Sequence, residues 1–202
     1  MAMASTSTVP QANPNIFSKH TIVLDHPVSK VFPVLGTAKN QQKITRACSS
    51  SLPVTSFKLL NKDVVAVPRN TPLSELHDAR DLPAAQEFES ESKGARQLPR
   101  QSFAFTETQH LLCRAMSWNV RIEATLVWDE EEMTTLYESR VTGRDDLRTW
   151  KLREMEEIEG GTKTKVTETL EGVYPGWRRK LVQKKTRQAH VDQMELFRTF
   201  FD

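Results

Sequence analysis

Residues 148–174 read RTWKLREMEEIEGGTKTKVTETLEGVY, a pattern typical of two strands joined by a turn. Two strand-like runs, Arg148–Ile158 and Lys163–Tyr174, flank the pair Gly160-Gly161, which supplies the positive φ that a two-residue turn between strands requires. A long helical pattern, Trp177–Phe201, follows. A hairpin that leads into a terminal helix predicts a sheet that curls around that helix, and such a shape tends to enclose a pocket.

The composition of the 202-residue chain is typical of one globular domain. Hydrophobic residues make up 38% of it and charged residues 27%, and the formal net charge is only +2. A net charge this small gives no support for a nucleic-acid partner. The basic run Arg178–Arg187 alternates with apolar and amide residues along the predicted helix, which favours a solvated helix face over a patch for phosphate or anionic lipid.

The N-terminal residues 1–15 are rich in Ser, Thr, Pro and Ala and lack the apolar core of a signal peptide. No stretch of the chain approaches the roughly 20 apolar residues that span a bilayer. Cys48 and Cys113 have no metal-ligand spacing and no further cysteine partners, which is typical of reduced thiols inside a cell. We therefore expect a disordered N-terminal segment, a cytoplasmic location and no stable insertion into a membrane.

The remaining patterns predict an α+β fold, with an antiparallel sheet of six or seven strands and short helices after the first strand. Ile16–Leu24 alternates as a strand does, Pro27 suits the first position of a helix that ends near Gly36, and Lys39–Ile44 forms a second turn. Further strands are predicted at Val54–Leu60, Val64–Val67, Ser102–Cys113, Asn119–Trp128 and Met133–Thr142. The sheet is expected to be curved and to wrap around the C-terminal helix.

Residues 69–100 interrupt this series of strands. The segment is dense in Pro, Glu, Asp, Ser, Ala and Arg and has few large apolar side chains. A structureless loop of that length is unusual in a compact domain. We predict a flexible insertion within a single domain at residues 16–202, with a partly helical segment around Asp81–Phe88 as the alternative.

Three stretches resemble a known superfamily. They are HPVSKVF at residues 26–32, the hairpin EGGTKTKV at residues 159–166, and the helix after Tyr174-Pro175-Gly176. With the order of elements, they resemble the START/Bet v 1-like superfamily, also called SRPBCC or the polyketide cyclase/dehydrase-like group. Residues 124–129 (ATLVWD) and 136–139 (LYES) look like a mainly fungal branch described as a domain of unknown function. The resemblance covers roughly Ile16–Phe201.

The resemblance implies a helix-grip fold with a cavity for a hydrophobic small molecule, but it implies no particular reaction, because function belongs to the site. The superfamily includes lipid and hormone binders, polyketide cyclases, coenzyme Q-binding proteins and a few lyases or condensing enzymes. One function is a cofactor-independent cyclase, dehydratase or isomerase of polyketide-like or terpenoid-like metabolites. The alternatives are a non-catalytic carrier of a lipid, sterol or pigment, and an interaction module with a filled core.

The predicted hairpin brings two opposite charges together. Pairing across Gly160-Gly161 places Arg153 opposite Glu168, and period-two alternation places Glu168 on the inward face. The two side chains form either a buried ion pair or a polar anchor for a ligand oxygen. A one-residue shift in register would turn Glu154 or Glu156 inward instead.

His190 is the second candidate for proton transfer. It lies one helical turn before Met194 and is predicted to face the sheet, where a neutral imidazole can act as a general acid or base. The alternative is a histidine bonded to a backbone carbonyl at the cavity wall. His110 is a further candidate. We predict Glu168 and His190 as the catalytic residues, with Arg153 beside Glu168.

Aromatic residues predict an apolar, aromatic wall for the cavity. Single aromatic residues in strands more often fill a core than contact a ligand, but as a set they favour a ring-lined pocket. The predicted ligand-binding residues are Arg153, Tyr137, Trp150, Trp128, Trp118, Met155 and Met194.

The chain has no Walker loop and no GxGxxG, GxSxG, HExxH or paired CxxC motif. Nucleotide, zinc and hydrolase chemistry of the usual kinds is therefore unsupported. We expect no cofactor and no metal, and the expected partner is a hydrophobic small molecule. The oligomeric state is left open.

Overall fold

A seven-stranded antiparallel sheet curves around a long C-terminal helix in the computed structural model, which describes residues 13–48, 54–76, 79–85, 95–111, 116–175 and 179–202. The strands are β1 (Ile16–Leu24), β2 (Val54–Pro68), β3 (Ala95–Leu111), β4 (Met116–Asp129), β5 (Thr134–Val141), β6 (Arg144–Ile158) and β7 (Lys163–Val173). The helices are α1 (Val28–Leu35), α2 (Gln41–Cys48) and α3 (Arg179–Leu196), with 3₁₀ turns at Ala38–Asn40 and Phe197–Phe200. The strand order is β1-β7-β6-β5-β4-β3-β2. The predicted helix-grip architecture is confirmed.

The hairpin of β6 and β7 has the predicted register. Ile158 pairs with Lys163, and Arg153 pairs with Glu168. The predicted two-residue turn is wrong, because pairing stops at Ile158 and the loop spans four residues, 159–162. Three successive residues of that loop, Glu159, Gly160 and Gly161, have positive φ (51°, 66° and 84°), so the backbone cannot stay extended up to the glycines.

β2 is one continuous strand, so the predicted turn at Asn61-Lys62-Asp63 is wrong. These three residues pair with residues 100–102 of β3, which is long enough to pair with nearly all of β2. A register shift between Leu59 and Asn61 accommodates the turn-like residues within the strand. Edge pairing to a long partner therefore overrides the local turn signal.

The predicted insertion begins after β2, at residue 69 as expected, but it ends earlier than predicted. Residues 95–100 belong to β3, and Leu73 and Ala79 are buried on the outer face of the sheet with Val127 and Leu136. Arg100 holds this layer in place, since its guanidinium donates to the carbonyl oxygens of residues 79, 80 and 82 and pairs with Asp63 at 2.5 Å. Residues 77–78 and 86–94, which include part of the predicted helical segment, lie outside the described residues.

α3 packs against β1, the edge strand of the sheet. The Gln183 side chain accepts a hydrogen bond from the Phe17 amide at 3.1 Å and donates one to the Phe17 carbonyl oxygen at 2.6 Å, which satisfies both backbone groups of this residue at the open edge of β1. Asn15, placed in the predicted disordered segment, donates to the Tyr174 carbonyl at 2.7 Å. Residues 1–12 of that segment lie outside the described residues. Among the helices that are described, none is long and apolar enough to cross a membrane.

Candidate functional site

A cavity of about 160 Å³ lies between the concave face of the sheet, α2 and α3. Alternate residues of neighbouring strands reach it because side chains two apart share a face. Its apolar and aromatic lining residues are Ile44, Phe105, Leu126 and Tyr137, and its polar ones are Gln41, Thr45, Glu107, Thr135, Lys151, Arg153, Glu168 and Gln193. The predicted apolar, aromatic wall is therefore wrong, since polar side chains dominate the lining.

Glu168 and Arg153 form a buried ion pair at one end of the cavity. Glu168 is fully buried and Arg153 is 7% exposed. Arg153 Nε and Nη2 both donate to Glu168 Oε2, at 2.8 and 2.5 Å. Nη1 of the same guanidinium donates to the carbonyl oxygen of Leu35 at the end of α1, where a cation is favoured by the helix dipole. Arg153 thus joins the sheet, the helix and the buried carboxylate.

The second carboxylate oxygen of Glu168 has a different environment. Oε1 lies 3.3 Å from His190 Nε2 and 3.9 Å from Lys151 Nζ. Neither Oε1 nor His190 Nε2 makes a hydrogen bond of acceptable geometry to any described residue, although both atoms are buried. Buried polar atoms in native proteins nearly always have partners, so Oε1 is a ready acceptor at the cavity wall.

Glu168 is ionised at neutral pH. Burial raises the pKa of its carboxyl group, but the charge of Arg153, together with His190 and Lys151, outweighs burial and holds this pKa well below its usual range. The consequence is a carboxylate that stays charged and retains a proton poorly.

His190 faces the sheet, as its helical position predicts. Its Nδ1 lies 2.8 Å from Ser18 Oγ on β1, and its imidazole is buried between Ser18 and Glu168. The predicted alternative, a bond to a backbone carbonyl, is not what is observed, because a hydroxyl group occupies that position. Ser18 therefore orients the ring so that Nε2 points at Glu168.

Lys151 is oriented by α3. Its Nζ donates to Gln193 Oε1 at 2.6 Å and lies 5.9 Å from the centre of the Tyr137 ring. The lysine side chain is 17% exposed, so its ammonium group reaches the cavity without being sealed in the core. A bound molecule can therefore meet a positioned cation beside the Glu168 carboxylate.

The structure separates the other predicted ligand-binding residues. Tyr137 lines the cavity. Trp128, Met155 and Met194 are buried in the main core and are not lining residues, so core filling prevails at these positions. The prediction that Trp150 lines the cavity is wrong. Its neighbour Lys151 faces the cavity, so Trp150 points to the outer face of the sheet, where it borders a separate groove with Leu136 and Leu152. The side chains of Trp118 and His110 lie outside the described residues.

Six polar lining residues were missed by sequence reasoning, and two of them, Lys151 and Gln193, are hydrogen-bonded to each other. Lys151 carries a usable signal, since it lies two positions before Arg153 on the same strand and must share its face. Gln193 carries none, because only the packing of α3 brings it to Lys151, 42 positions away.

Similarity to solved structures extends along most of the chain. The ZhuI aromatase/cyclase from a Streptomyces species superposes with a TM-score of 0.52 at 10% identity, covering 91% of this chain and 91% of that one. The protein TTHA0849 from Thermus thermophilus superposes with a TM-score of 0.51 at 14% identity, covering 91% of this chain and 94% of that one. The chain has the helix-grip fold. At these identities the likeness concerns the fold alone.

No protein-family model matches the chain, and no curated protein sequence matches it. The fungal branch of unknown function therefore stays a prediction. The helix-grip fold expected from the resemblance is confirmed by these superpositions and by the strand order.

Proposed function

We propose that the protein binds a small molecule with hydroxyl and carbonyl oxygens in this cavity and converts it as a cofactor-independent cyclase, dehydratase or isomerase. The observation that carries the proposal is the buried Glu168 Oε1, an acceptor on a cavity-lining residue that makes no hydrogen bond of good geometry to the described residues. A ligand hydroxyl group supplies that donor. Leaving such an acceptor unpaired costs about 1–3 kcal/mol or more, which favours ligands that satisfy it.

The position of Lys151 favours a reaction through an enolate. Lys151 and Arg153 contribute two positive charges to the lining and Glu168 and Glu107 two negative ones, so these formal charges balance when His190 is neutral. A positioned cation stabilises negative charge that develops on a carbonyl oxygen in the transition state. Lys151, held by Gln193, is the cation placed for that role.

Glu168 and His190 then accept the substrate proton one after the other. We assign to His190 the tautomer with its proton on Nδ1, which donates to Ser18 and leaves Nε2 as an acceptor 3.3 Å from Glu168 Oε1. A proton leaving the substrate carbon or hydroxyl group passes to Oε1 and on to Nε2, because the low pKa of Glu168 makes it a poor final acceptor. The return of that proton to another substrate atom completes a cyclisation, dehydration or isomerisation without a cofactor.

The volume of the cavity favours this proposal over a carrier. About 160 Å³ is close to the roughly 150 Å³ of an engineered apolar cavity that holds benzene, so the site accommodates one ring. Pockets for larger ligands measure about 300–1,000 Å³. This cavity by itself is smaller than a lipid, sterol or pigment requires. The neighbour whose name states aromatase/cyclase activity is consistent with a ring-forming reaction here.

Binding of 4-nitrophenol tests the site, because its absorbance distinguishes phenol from phenolate. We expect saturable, micromolar binding of the neutral phenol, about −8 kcal/mol, because its hydroxyl group can donate to Glu168 Oε1 whereas a phenolate cannot. Lys151→Met removes a charged donor beside the ligand oxygen and should weaken binding about ten-fold, the equivalent of about 1.4 kcal/mol. Lys165→Met removes a half-exposed lysine of β7 away from the cavity and is the matched control. Equal binding by the two variants would contradict the proposal.

Exchange of α-protons tests the chemistry. In D₂O, the protein should accelerate deuterium uptake at the α-carbon of 4-hydroxyphenylacetone, followed by NMR. His190→Gln should lower this rate by about 10²–10⁴-fold, as loss of an acid–base group does, while 4-nitrophenol binding is retained. An unchanged exchange rate in His190→Gln would refute the proton path and leave the binding site standing.

A further inference from the structure

We propose that the protein docks on anionic lipid membranes through a surface formed by α2, the turn before it and the middle of β2. We define this α2–β2 surface by Lys39, Lys43, Arg46, Leu59, Leu60 and Lys62. The proposal does not depend on which molecule the cavity binds.

The first component of this surface is a row of cations. Ile44 and Thr45 of α2 face the cavity, whereas Lys39, Lys43 and Arg46 are exposed and border an open depression of about 570 Å³. Spacings of four and three residues place these cations on one side. Within the described part of the chain, no carboxylate lies within ion-pair distance of any of the three. Lys43 Nζ instead lies 4.8 Å from the centre of the Phe200 ring.

The second component is apolar. Leu59 is 51% exposed and Leu60 is 43% exposed, and the lysines at positions 58 and 62 flank them on an edge strand. Leu59 pairs with Phe103, a residue of the concave core, so it lies on the same side of the sheet as α2, which contacts β2. Exposed leucines beside lysines are typical of surfaces that enter the interface of a membrane.

A lipid surface fits these features better than a second copy of the chain. β2 is an edge strand, but register shifts at residues 54–56 and 59–61 interrupt its ladder. Lys58 and Lys62 project from it, and antiparallel pairing of two copies would bring like charges together. Anionic headgroups complement every cation of the α2–β2 surface, and the acyl boundary accommodates the leucines.

Vesicle co-sedimentation tests the proposal with phosphatidylcholine vesicles that contain or lack phosphatidylserine. We expect binding only to the anionic vesicles and weaker binding as salt rises towards about 0.15 M. Lys43→Gln/Arg46→Gln should weaken binding about 25-fold, five-fold for each cation at about 1 kcal/mol. Leu59→Ser/Leu60→Ser should weaken it about ten-fold through lost apolar burial.

Two sets of surface residues elsewhere serve as matched controls. Lys19→Gln/Lys165→Gln removes two cations from β1 and β7, and Phe17→Ser removes a side chain that is 55% exposed. Both controls should bind as the unsubstituted protein does, and thermal unfolding should show that all variants are folded. Equal binding to both vesicle types, or equal losses in the controls, would overturn the proposal. So would a dimer in sedimentation velocity that Leu59→Ser/Leu60→Ser dissociates, because the surface would then bind a second copy.

Discussion

At Glu168, burial and charge act on the same carboxyl group in opposite directions. The side chain has no exposed surface, yet the neighbouring Arg153 guanidinium keeps it ionised. A buried ion pair often adds little net stability, but removing one partner leaves the other charge uncompensated. Glu168 is therefore needed for stability as well as for the proposed chemistry, which makes His190 and Lys151 the better positions for functional variants.

Glu168→Gln should lower the free energy of unfolding by about 3–5 kcal/mol, because it leaves the Arg153 guanidinium buried without a countercharge. Urea denaturation followed by circular dichroism measures this change. Glu154→Gln, at an exposed position on the same strand as Arg153, is the matched control and should change stability by no more than about 0.5 kcal/mol. A loss of the same size in both variants would mean that the ion pair is not the cause.

Acid should remove the stability that Glu168 provides. Its pKa is lower in the folded protein than its ordinary value of 4.5, so its contribution is complete above that value and is lost as the pH falls below it. The difference in unfolding free energy between the unsubstituted protein and Glu168→Gln should therefore be constant near neutral pH and shrink below about pH 4.5. Denaturation at a series of pH values measures it. A difference that grows on acidification would contradict the assigned direction of the pKa shift.

The loop between β6 and β7 sets the register that brings Arg153 and Glu168 together. Gly161 has a φ of 84°, and a Cβ added there would meet no atom closer than 3.8 Å. The cost of a side chain at this position is therefore conformational and not steric.

Gly161→Ala should destabilise the protein by about 1–2 kcal/mol, because alanine resists a left-handed conformation. Gly161→Asn should cost less, since asparagine adopts positive φ more readily. Thermal unfolding of the two variants checks the order. If alanine were tolerated as well as asparagine, positive φ at this position would not be what stabilises the loop.

The cavity couples ligand binding to the stability of the folded chain, because its walls come from both the helices and the sheet. A ligand that binds only the folded protein, present at 100 times its Kd, should raise the free energy of unfolding by about 2.7 kcal/mol. Thermal unfolding with 4-nitrophenol measures the shift. Thr45→Leu, which places an apolar side chain at the cavity wall, should reduce it, whereas Lys165→Met should not.

Local patterns in the sequence predicted the elements and the central pair of the site. Alternation with period two and the glycines at positions 160 and 161 predict the hairpin, and the hairpin register alone places Arg153 opposite Glu168. The orientation of His190 toward the sheet follows from its position one helical turn before Met194. These features depend on residues close in sequence or on one turn, so they could be read without the tertiary structure.

The polarity, size and remaining residues of the cavity could not be predicted from local sequence patterns. Ser18 meets His190 across 172 positions, and Gln193 meets Lys151 across 42. The continuity of β2 likewise depends on β3, which overrides a local turn signal by pairing with it. The outward direction of Trp150 could have been predicted from sequence, because side chains alternate along β6 and Arg153 was already expected to face inward. Strand and turn preferences are local, whereas the shape of a cavity depends on the packing of side chains that are distant in the chain.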